Sequence, residues 1–183
     1  MKEHPTLLGY ALLGLLEQQP SSGYDLRKIF ALTPMMTYSD SPGAIYPALG
    51  RLEKSGFIRG RVEEGVGLRR RKVFQLTATG TAELKGWLGK QLSRDDVIRG
   101  LNGLMLRFAF LDRVLGKECA VNFLKQMRSE LRSYVATLRE FLTTEKQGMA
   151  TAARLALVGG ILGYEAHLEW TKQALAEYRR AGK

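Results

Sequence analysis

Residues 41–57 read SPGAIYPALGRLEKSGF, and residues 58–77 continue as IRGRVEEGVGLRRRKVFQLT. Ser41 can cap a helix, and Pro42 suits its first position, because the fixed φ fits there and the missing N–H costs nothing. Apolar residues then recur at helical spacing, which predicts a helix over residues 42–55. Its buried face consists of Ile45, Ala48, Leu49 and Leu52.

The opposite face of this helix has an unusual composition. An ordinary solvated face is rich in Glu, Lys and Gln, whereas this one carries an aromatic ring, a proline, glycines and positive charge. It consists of Gly43, Tyr46, Pro47, Gly50, Arg51 and Lys54. A surface of this kind is typical of contact with another molecule. Pro47 lies deep in a helix that begins at Pro42, so it should deprive the Gly43 carbonyl of its helical partner and bend the helix.

A hairpin is predicted to follow the helix. Gly56 can end the helix, and the apolar residues Phe57, Ile58 and Val62 then alternate with Arg59 and Arg61 as in a half-buried strand. Residues 64–67 supply the flexible turn. The return strand contains Val73, Phe74 and Leu76.

Positive charge is concentrated in this part of the chain. Residues 51–72 hold eight cations against three carboxylates, so their net +5 is half of the formal +10 of the whole chain. A basic hairpin beside an exposed helix favours binding to nucleic acid phosphates, because each neutralised phosphate releases condensed counterions. The alternative is a solvated basic hairpin without a partner.

The run GAIYPALGRLEKSGFI (residues 43–58), followed by RRRKVFQLTATG (residues 69–80), resembles the PadR-like transcriptional regulators. The recognition helix of that family carries a tyrosine and a proline in this setting, and its wing combines basic residues, an aromatic strand and Leu-Thr-x-x-Gly. Residues 7–30 resemble the first two helices of the family, and residues 159–178 resemble the C-terminal helix of its longer members. The turn EEGVGLRRR departs from the pattern, since it begins with two glutamates and is rich in arginine.

A second helix is predicted from Ser21 or Ser22 onward, in the position that crosses behind a recognition helix and presents Tyr24 or Lys28 to the phosphate backbone. Core packing is the alternative for Tyr24. Residues 31–40 are predicted as a loop and residues 77–92 as a helix with Leu84, Trp87 and Leu88 on its apolar side. The full set of predicted DNA contacts is Tyr24, Lys28, Ser41, Gly43, Ala44, Tyr46, Pro47, Arg51, Lys54, Arg69, Arg70, Arg71 and Lys72.

The second half of the chain is predicted to be helical throughout. Ser93 and Asp96 form a capping box, after which one helix should continue through Leu104, Phe108 and Leu111. Further on, Ala120, Met127, Tyr134 and Phe141 repeat every seven residues, with Leu124, Leu131 and Leu138 offset by four. This narrow seam requires a partner helix, supplied either by the final helix of the same chain or by a second subunit. Homodimerisation is the favoured interpretation, since a two-helix arm exposes much apolar surface.

The final helix contains Gly159, Gly160 and Gly163, each of which lowers helix stability by about 1 kcal/mol relative to alanine. A close contact with another helix would compensate for this cost. The predicted dimer contacts are Leu124, Met127, Leu131, Tyr134, Leu138, Phe141, Gly159 and Gly163.

The sequence contains no pattern typical of an enzyme. His4, His167 and the single Cys119 are far apart and have no metal-ligand spacing, and no P-loop, dinucleotide fingerprint or nucleophile elbow is present. We therefore predict no catalytic residue, metal or cofactor. Cys119 is read as an inert small hydrophobe, with a redox-sensing thiolate as the alternative. One cysteine and no membrane span favour a cytoplasmic location.

The sequence thus predicts a mainly α (α+β) protein, with a winged helix-turn-helix DNA-binding domain at residues 1–92. Residues 93–183 are predicted as a helical domain for dimerisation and possible effector binding. The function predicted is a homodimeric repressor of a palindromic operator in double-stranded DNA. The alternative is a winged-helix module that docks an acidic protein. Resemblance to the family also implies a small aromatic effector, for which the suitable side chains are Trp87, Met105, Phe108, Tyr164, His167 and Trp170.

Overall fold

A computed structural model of the protein describes residues 4–38, 43–64 and 70–181. The chain divides into two compact units, residues 1–90 and residues 91–183. Most of the described residues are helical, and a small antiparallel sheet lies in the first unit. The predicted fold class, a winged helix followed by a helical region, is confirmed. The roles assigned to the two units remain predictions.

The first unit is built on a buried helix, α1. Thr6 caps this helix by accepting a hydrogen bond from the Gly9 N–H at 3.3 Å, and residues 8–16 are all buried. Helix α4, a 3-10 turn and the predicted recognition helix, α3, pack around it, and α2 packs against α3. The elements are α1 (Leu7–Gln18), α2 (Gly23–Leu32), the 3-10 turn (Pro34–Tyr38), α3 (Ile45–Lys54) and α4 (Ala78–Leu88).

Within the described residues the sheet has three strands in the order β1-β3-β2, all antiparallel. Strands β2 (Ile58–Glu64) and β3 (Arg70–Leu76) form the predicted hairpin, and β1 (Ser21–Ser22) pairs with Val73 and Phe74. Burial ends partway along the hairpin. Val62 is 67% exposed, so its placement on a half-buried face was wrong: the core covers only the base of the hairpin, at Phe57, Ile58, Val73 and Phe74.

Ser22 caps helix α2 with a full capping box. Its hydroxyl accepts from the Asp25 N–H, and Asp25 accepts from the Ser22 N–H. The predicted loop over residues 31–40 was wrong in its first part, because α2 continues to Leu32 and a 3-10 turn follows. Residues 39–40 lie outside the described residues.

Helix α3 begins at Ile45, three residues later than predicted. Ala44 is the N-cap, without a side-chain hydrogen bond, and its carbonyl accepts from the Ala48 N–H at 3.0 Å. Pro47 is therefore the third helical residue, where an N–H has no helical acceptor, so the predicted bend was wrong. Ser41 and Pro42, the predicted cap and first helical residue, lie outside the described residues.

The end of α3, both strands of the hairpin and the start of α4 meet at Phe57. Gly56 ends α3 with a φ of 76°, and the Phe57 N–H donates to the Leu52 carbonyl at 2.9 Å. Thr77 donates through its N–H to the Phe57 carbonyl at 3.1 Å and through its hydroxyl to the Gly56 carbonyl at 2.7 Å. The same hydroxyl caps α4 by accepting from the Gly80 N–H at 3.0 Å.

The second unit contains α5 (Arg94–Arg99), α6 (Leu101–Leu115), α7 (Lys117–Glu145) and α8 (Thr151–Arg180). The capping box of Ser93 and Asp96 is confirmed. The single helix predicted from there through Leu111 was wrong, because Gly100 separates α5 from α6 with a φ of −121° and a ψ of 20°. The core of the unit joins Val97, Leu104 and Leu111 to residues of α7.

Gly80 permits the close approach of α4 to the Phe57 carbonyl, since a Cβ there would overlap that oxygen. We expect Gly80→Ala to lower the free energy of unfolding by about 1–3 kcal/mol through overpacking. Gly86→Ala on the same helix is the matched control. No atom of the described residues lies within 4 Å of its added Cβ, so this variant should raise the free energy of unfolding by up to about 1 kcal/mol. Urea unfolding measures both, and equal effects of the two variants would contradict this packing.

Candidate nucleic-acid interface

The predicted DNA contacts on α2, α3 and β3 lie mostly at the surface. Tyr24 is 63% exposed and Tyr46 53% exposed, which argues against core packing of Tyr24. Ser41 and Arg69 lie outside the described residues, and Ala44 is half-buried. The other exposed members of the set are Lys28, Gly43, Pro47, Arg51, Lys54, Arg70, Arg71 and Lys72.

Helices α2 and α3 come together at Gly23 and Tyr46. A Cβ at Gly23 would lie 2.6 Å from Cε1 of Tyr46, so a residue without a side chain lets the tyrosine ring lie against the start of α2. Tyr46 consequently sits at the edge of both helices while half of its surface stays open to solvent.

Glu53 connects α3 to the hairpin. Its Oε1 accepts from the Gly60 N–H at 3.1 Å, and its Oε2 accepts from Lys72 Nζ at 2.7 Å. The hydrogen bond from Lys72, assisted by the Gly60 N–H, holds the pKa of Glu53 below its ordinary value. Lys72 Nζ also lies 5.2 Å from the centroid of the Phe74 ring. One carboxylate thereby fixes the hairpin relative to the helix.

A further electrostatic contact links α2 to β3. The pKa of Asp25 is lowered, first by its hydrogen bond from Ser22 and then by the positive charges of Arg71 and Lys28. Arg71 also faces Glu63 across the hairpin, with 3.9 Å between Nη2 and Oε2. Together with the contacts of Tyr46 and Glu53, this places α2, α3 and the hairpin on one continuous surface.

Five cations of this surface form no ion pair with any carboxylate of the described residues. They are Arg51, Lys54, Arg59, Arg61 and Arg70, and all are exposed. Lys72 and Arg71, in contrast, have carboxylate partners. Arg59 and Arg61 are missing from the predicted set of DNA contacts. The charge excess in residues 51–72 was the signal that could have identified them.

Most residues of the heptad seam of α7 pack against other residues of the same chain. Leu124, Met127 and Leu131 are each 0% exposed. The prediction that these three residues contact a second chain directly was wrong, because their side chains have no solvent-accessible surface. Tyr134 is half-buried and contacts the Tyr164 ring of α8 edge-on, with 4.9 Å between centroids.

Toward the C-terminal end of the seam the side chains become more exposed to solvent. Leu138 is half-buried and Phe141 is 50% exposed. Helix α8 also presents an apolar face to solvent, on which Leu155 is 55% and Leu162 57% exposed. Within the described residues nothing lies within 4 Å of a Cβ added at Gly159, Gly160 or Gly163. The exposed residues of this face, each three or four positions from another member, are Ala152, Leu155, Ala156, Gly159, Leu162, Gly163 and Ala166.

The side chains suited to an effector site pack within their own units. Trp87 stacks on Tyr10 in the first unit, with 4.3 Å between ring centroids. In the second unit Trp170 meets Phe108 edge-on at 5.1 Å, and the Tyr164 hydroxyl donates to the Ile98 carbonyl at 2.9 Å. Met105 packs on the same core, and His167 is half-buried. These contacts fit a role in packing.

The described part of the chain contains no group of three or more His, Cys, Asp or Glu residues placed to hold a metal ion. None of its helices combines the length and apolarity needed to span a bilayer. Cys119 is exposed.

Comparison with known proteins identifies the class of the first unit. Residues 12–86 match the Transcriptional regulator PadR-like family. The Negative transcriptional regulator PadR of Bacillus subtilis (strain 168) is 29% identical over 147 residues, which cover 80% of this chain and 77% of PadR. The match over residues 12–86 confirms the resemblance to PadR-like regulators that was predicted from the sequence. The family consists of transcriptional regulators rather than enzymes.

The chain also aligns with solved structures of PadR-like regulators. Bacillus subtilis PadR in complex with operator DNA is 23% identical, covers 96% of this chain and 99% of its own, and has a TM-score of 0.47. The same protein in complex with p-coumaric acid is also 23% identical, covers 98% and 99%, and has a TM-score of 0.44. The PadR-like regulator BC1756 from Bacillus cereus is 26% identical, covers 94% and 99%, and has a TM-score of 0.42.

The bridge formed by Glu53 leads to a pH-dependent prediction. Because its pKa is below 4.5 in the folded state, the bridge stabilises the protein above that pH and is lost as the pH falls through the lowered value. We expect Glu53→Gln to lower the free energy of unfolding by about 0.5–1 kcal/mol at pH 7, as is typical of an exposed ion pair, and by less at pH 3, where the carboxylate is closer to protonation. Glu63→Gln, which removes the 3.9 Å contact to Arg71, is the control and should have almost no effect. Urea titrations at both pH values measure the difference, and an effect of Glu53→Gln that is as large at pH 3 as at pH 7 would refute the assignment.

Proposed function

We propose that the protein is a sequence-specific DNA-binding regulator, acting in the cytoplasm as a homodimeric repressor. The observation that carries this proposal is the single exposed surface formed by α2, α3 and the hairpin, with its unpaired cations. A DNA backbone would supply the negative charge that these side chains lack within the described chain.

Helix α3 has the composition of an element that enters the major groove. Its exposed face offers Tyr46, Pro47 and Arg51, of which arginine can bind a guanine edge with two hydrogen bonds. Gly43 and Gly50 leave room for close approach. The cations of β2 and β3 would hold phosphates and fix the register of α3 on the duplex. Lys72 contributes less than Arg70 in this arrangement, because Glu53 already neutralises its charge.

The open face of α8 supports dimerisation. This face combines exposed leucines with glycines that no other helix of the described chain approaches closely. Such a surface favours packing against the same helix of a second subunit. On α7, Phe141 is a further exposed apolar side chain. A two-fold dimer matches a palindromic operator and doubles the number of phosphate contacts.

Repression and release by an effector are the finer parts of the proposal. The name of the related Bacillus subtilis protein, a negative transcriptional regulator, supports repression. Resemblance to PadR-like regulators supports a small aromatic effector that lowers the affinity for the operator.

Two sets of substitutions separate phosphate binding from base readout. We expect Arg59→Ala, Arg61→Ala and Arg70→Ala, combined, to weaken binding to every duplex and to reduce the slope of log affinity against log salt by about 0.9 for each phosphate that is no longer neutralised. Tyr46→Ala and Arg51→Ala should instead reduce the ratio of the affinity for the operator to the affinity for a random duplex. Fluorescence anisotropy with duplexes selected from a random pool measures both quantities.

The charge-matched control for the triple variant removes Arg94, Lys117 and Arg132 from the second unit, where all three are exposed. It should leave the salt slope unchanged. Equal losses of affinity in the two triple variants would mean that overall charge, and not the hairpin, governs binding.

A dimer held by α8 is tested by introducing charge into its apolar face. Leu155→Glu with Leu162→Glu should convert a dimer into monomers at micromolar concentration, because two carboxylates would be buried without partners. Gln91→Glu adds charge to an exposed site that does not lie on α8 and should leave the dimer intact. Sedimentation velocity distinguishes the outcomes, and a double variant that still sediments as a dimer would exclude this interface.

A further inference from the structure

The cations of α7 lie along one side of that helix. At about 100° per residue, its five Lys and Arg side chains fall within an arc of about 80°, and its four glutamates fall outside this arc. Helix α7 therefore presents a row of positive charge that its own carboxylates do not interrupt. The cations of the row are Lys117, Lys125, Arg128, Arg132 and Arg139.

A cavity of about 190 Å³ opens beside this row, between α7 and α8 within the second unit. The two helices are antiparallel: Arg139 bonds Glu165 at 2.7 Å, while earlier residues of α7 meet later residues of α8 at the cavity. The last turns of α8 thereby add Arg179 to the cations of α7. The lining residues are Val121, Lys125, Arg128, Leu175, Tyr178 and Arg179.

Four cations at or next to the cavity are not neutralised by the chain. Lys125, Arg128 and Arg179 line it, and Arg132 follows Arg128 by one turn on the same side of α7. None of the four forms an ion pair with a carboxylate of the described residues. The nearby cations that do have partners are Arg139, Lys172 and Arg180, which bond Glu165, Glu169 and Glu177.

The apolar wall of the cavity is held by the core. Leu175 is 3% exposed, and the Tyr178 ring meets Phe108 edge-on with 6.3 Å between centroids. The Tyr178 hydroxyl donates to Oδ2 of Asp112 at 3.1 Å. Burial, together with this hydrogen bond, raises the pKa of Tyr178 to about 12, so the phenol stays neutral at pH 7 and does not repel an anion. The apolar wall is therefore formed before any ligand arrives.

We propose that this site binds a nucleoside polyphosphate, with the base in the cavity and the phosphates on the surrounding cations. A cavity of roughly 150 Å³ holds benzene, so this larger and open space accommodates a planar base against Val121, Leu175 and the Tyr178 ring. Arginine binds phosphate with two parallel hydrogen bonds, and lysine binds it as a point charge. Lys125 and Arg132 are seven residues apart, so the cations of α7 at the site extend over about 10 Å of helix.

The number of charges at the site selects this class of ligand. A single carboxylate or phosphate monoester would leave most of the four cations without a partner, whereas a triphosphate chain carries roughly four negative charges at pH 7. Inorganic triphosphate would leave the apolar wall uncovered. A nucleoside without phosphates would cover the wall but leave every cation unpaired.

ATP is the probe for this site, titrated into the full-length protein by calorimetry at about 0.15 M salt, where attraction between exposed charges is largely screened. We expect saturable binding of one ATP per chain, and ¹H–¹⁵N spectra should place the shifts on α7 and α8 around the cavity. Adenosine and inorganic triphosphate, which each lack one half of the ligand, should bind at least about tenfold more weakly, because either half contributes more than the factor-of-ten energy.

Two charge-matched variants locate the site. Lys125→Gln, Arg128→Gln and Arg179→Gln, combined, should weaken ATP binding by at least about tenfold, since charge-assisted hydrogen bonds to the phosphates are lost. The control combines Arg59→Gln, Arg61→Gln and Arg70→Gln on the hairpin, which removes the same charge and should leave the affinity for ATP unchanged. Circular dichroism checks that both variants are folded.

The proposal would be overturned by the absence of saturable binding, by shifts that map outside α7 and α8, by equal affinities for ATP and inorganic triphosphate, or by equal losses in the two triple variants. A cavity variant that keeps its affinity for ATP but loses affinity for duplex DNA would also overturn it, because these cations would then bind nucleic acid. The site shares no residue with the DNA-binding surface, so its failure would leave the proposed regulatory function standing, and the reverse also holds.

Discussion

The geometry of the first unit depends on the backbone around Phe57. At this point α3 ends, β2 begins, β3 returns and α4 starts, and Thr77 holds all four through bonds to the carbonyls of Gly56 and Phe57. Gly80 allows α4 to approach this junction closely. Because α3 and the hairpin leave the same fixed point, the hydrogen bonds at this junction and the bridge from Glu53 together set their relative positions. The junction at Phe57 therefore determines the shape of the candidate DNA-binding surface.

Charge on that surface is distributed in two ways. Lys72 and Arg71 face carboxylates and help to position the hairpin, while Arg51, Lys54, Arg59, Arg61 and Arg70 stay exposed without a described partner. A basic segment therefore contains both structural and available cations, and only the fold distinguishes them.

Local patterns predicted much of this structure. The start of α2 after Ser22, the capping box at Ser93, the stop at Gly56 and the two hairpin strands each depend on residues close in sequence, and all are present. The errors arose where a distant contact or an exact boundary decides the outcome. When α3 starts at Ile45, Pro47 falls in the first turn of the helix, where its missing N–H has no effect. Strand β1 forms only because β3 lies beside it. The seven-residue period of α7 does not show which residues of the seam pack within the chain. Glu53 could not be assigned to Lys72 from the sequence, because nineteen positions separate them.

The central claim is that α2, α3 and the hairpin form one surface for duplex DNA. Amide hydrogen exchange of the full-length protein, measured with and without a selected operator duplex at moderate salt, tests it most directly. The account predicts that binding slows exchange in Gly23–Leu32, Ile45–Lys54 and the strands Ile58–Glu64 and Arg70–Leu76 together. Protection confined to residues 91–183, or none anywhere at a duplex concentration that saturates binding, would contradict it.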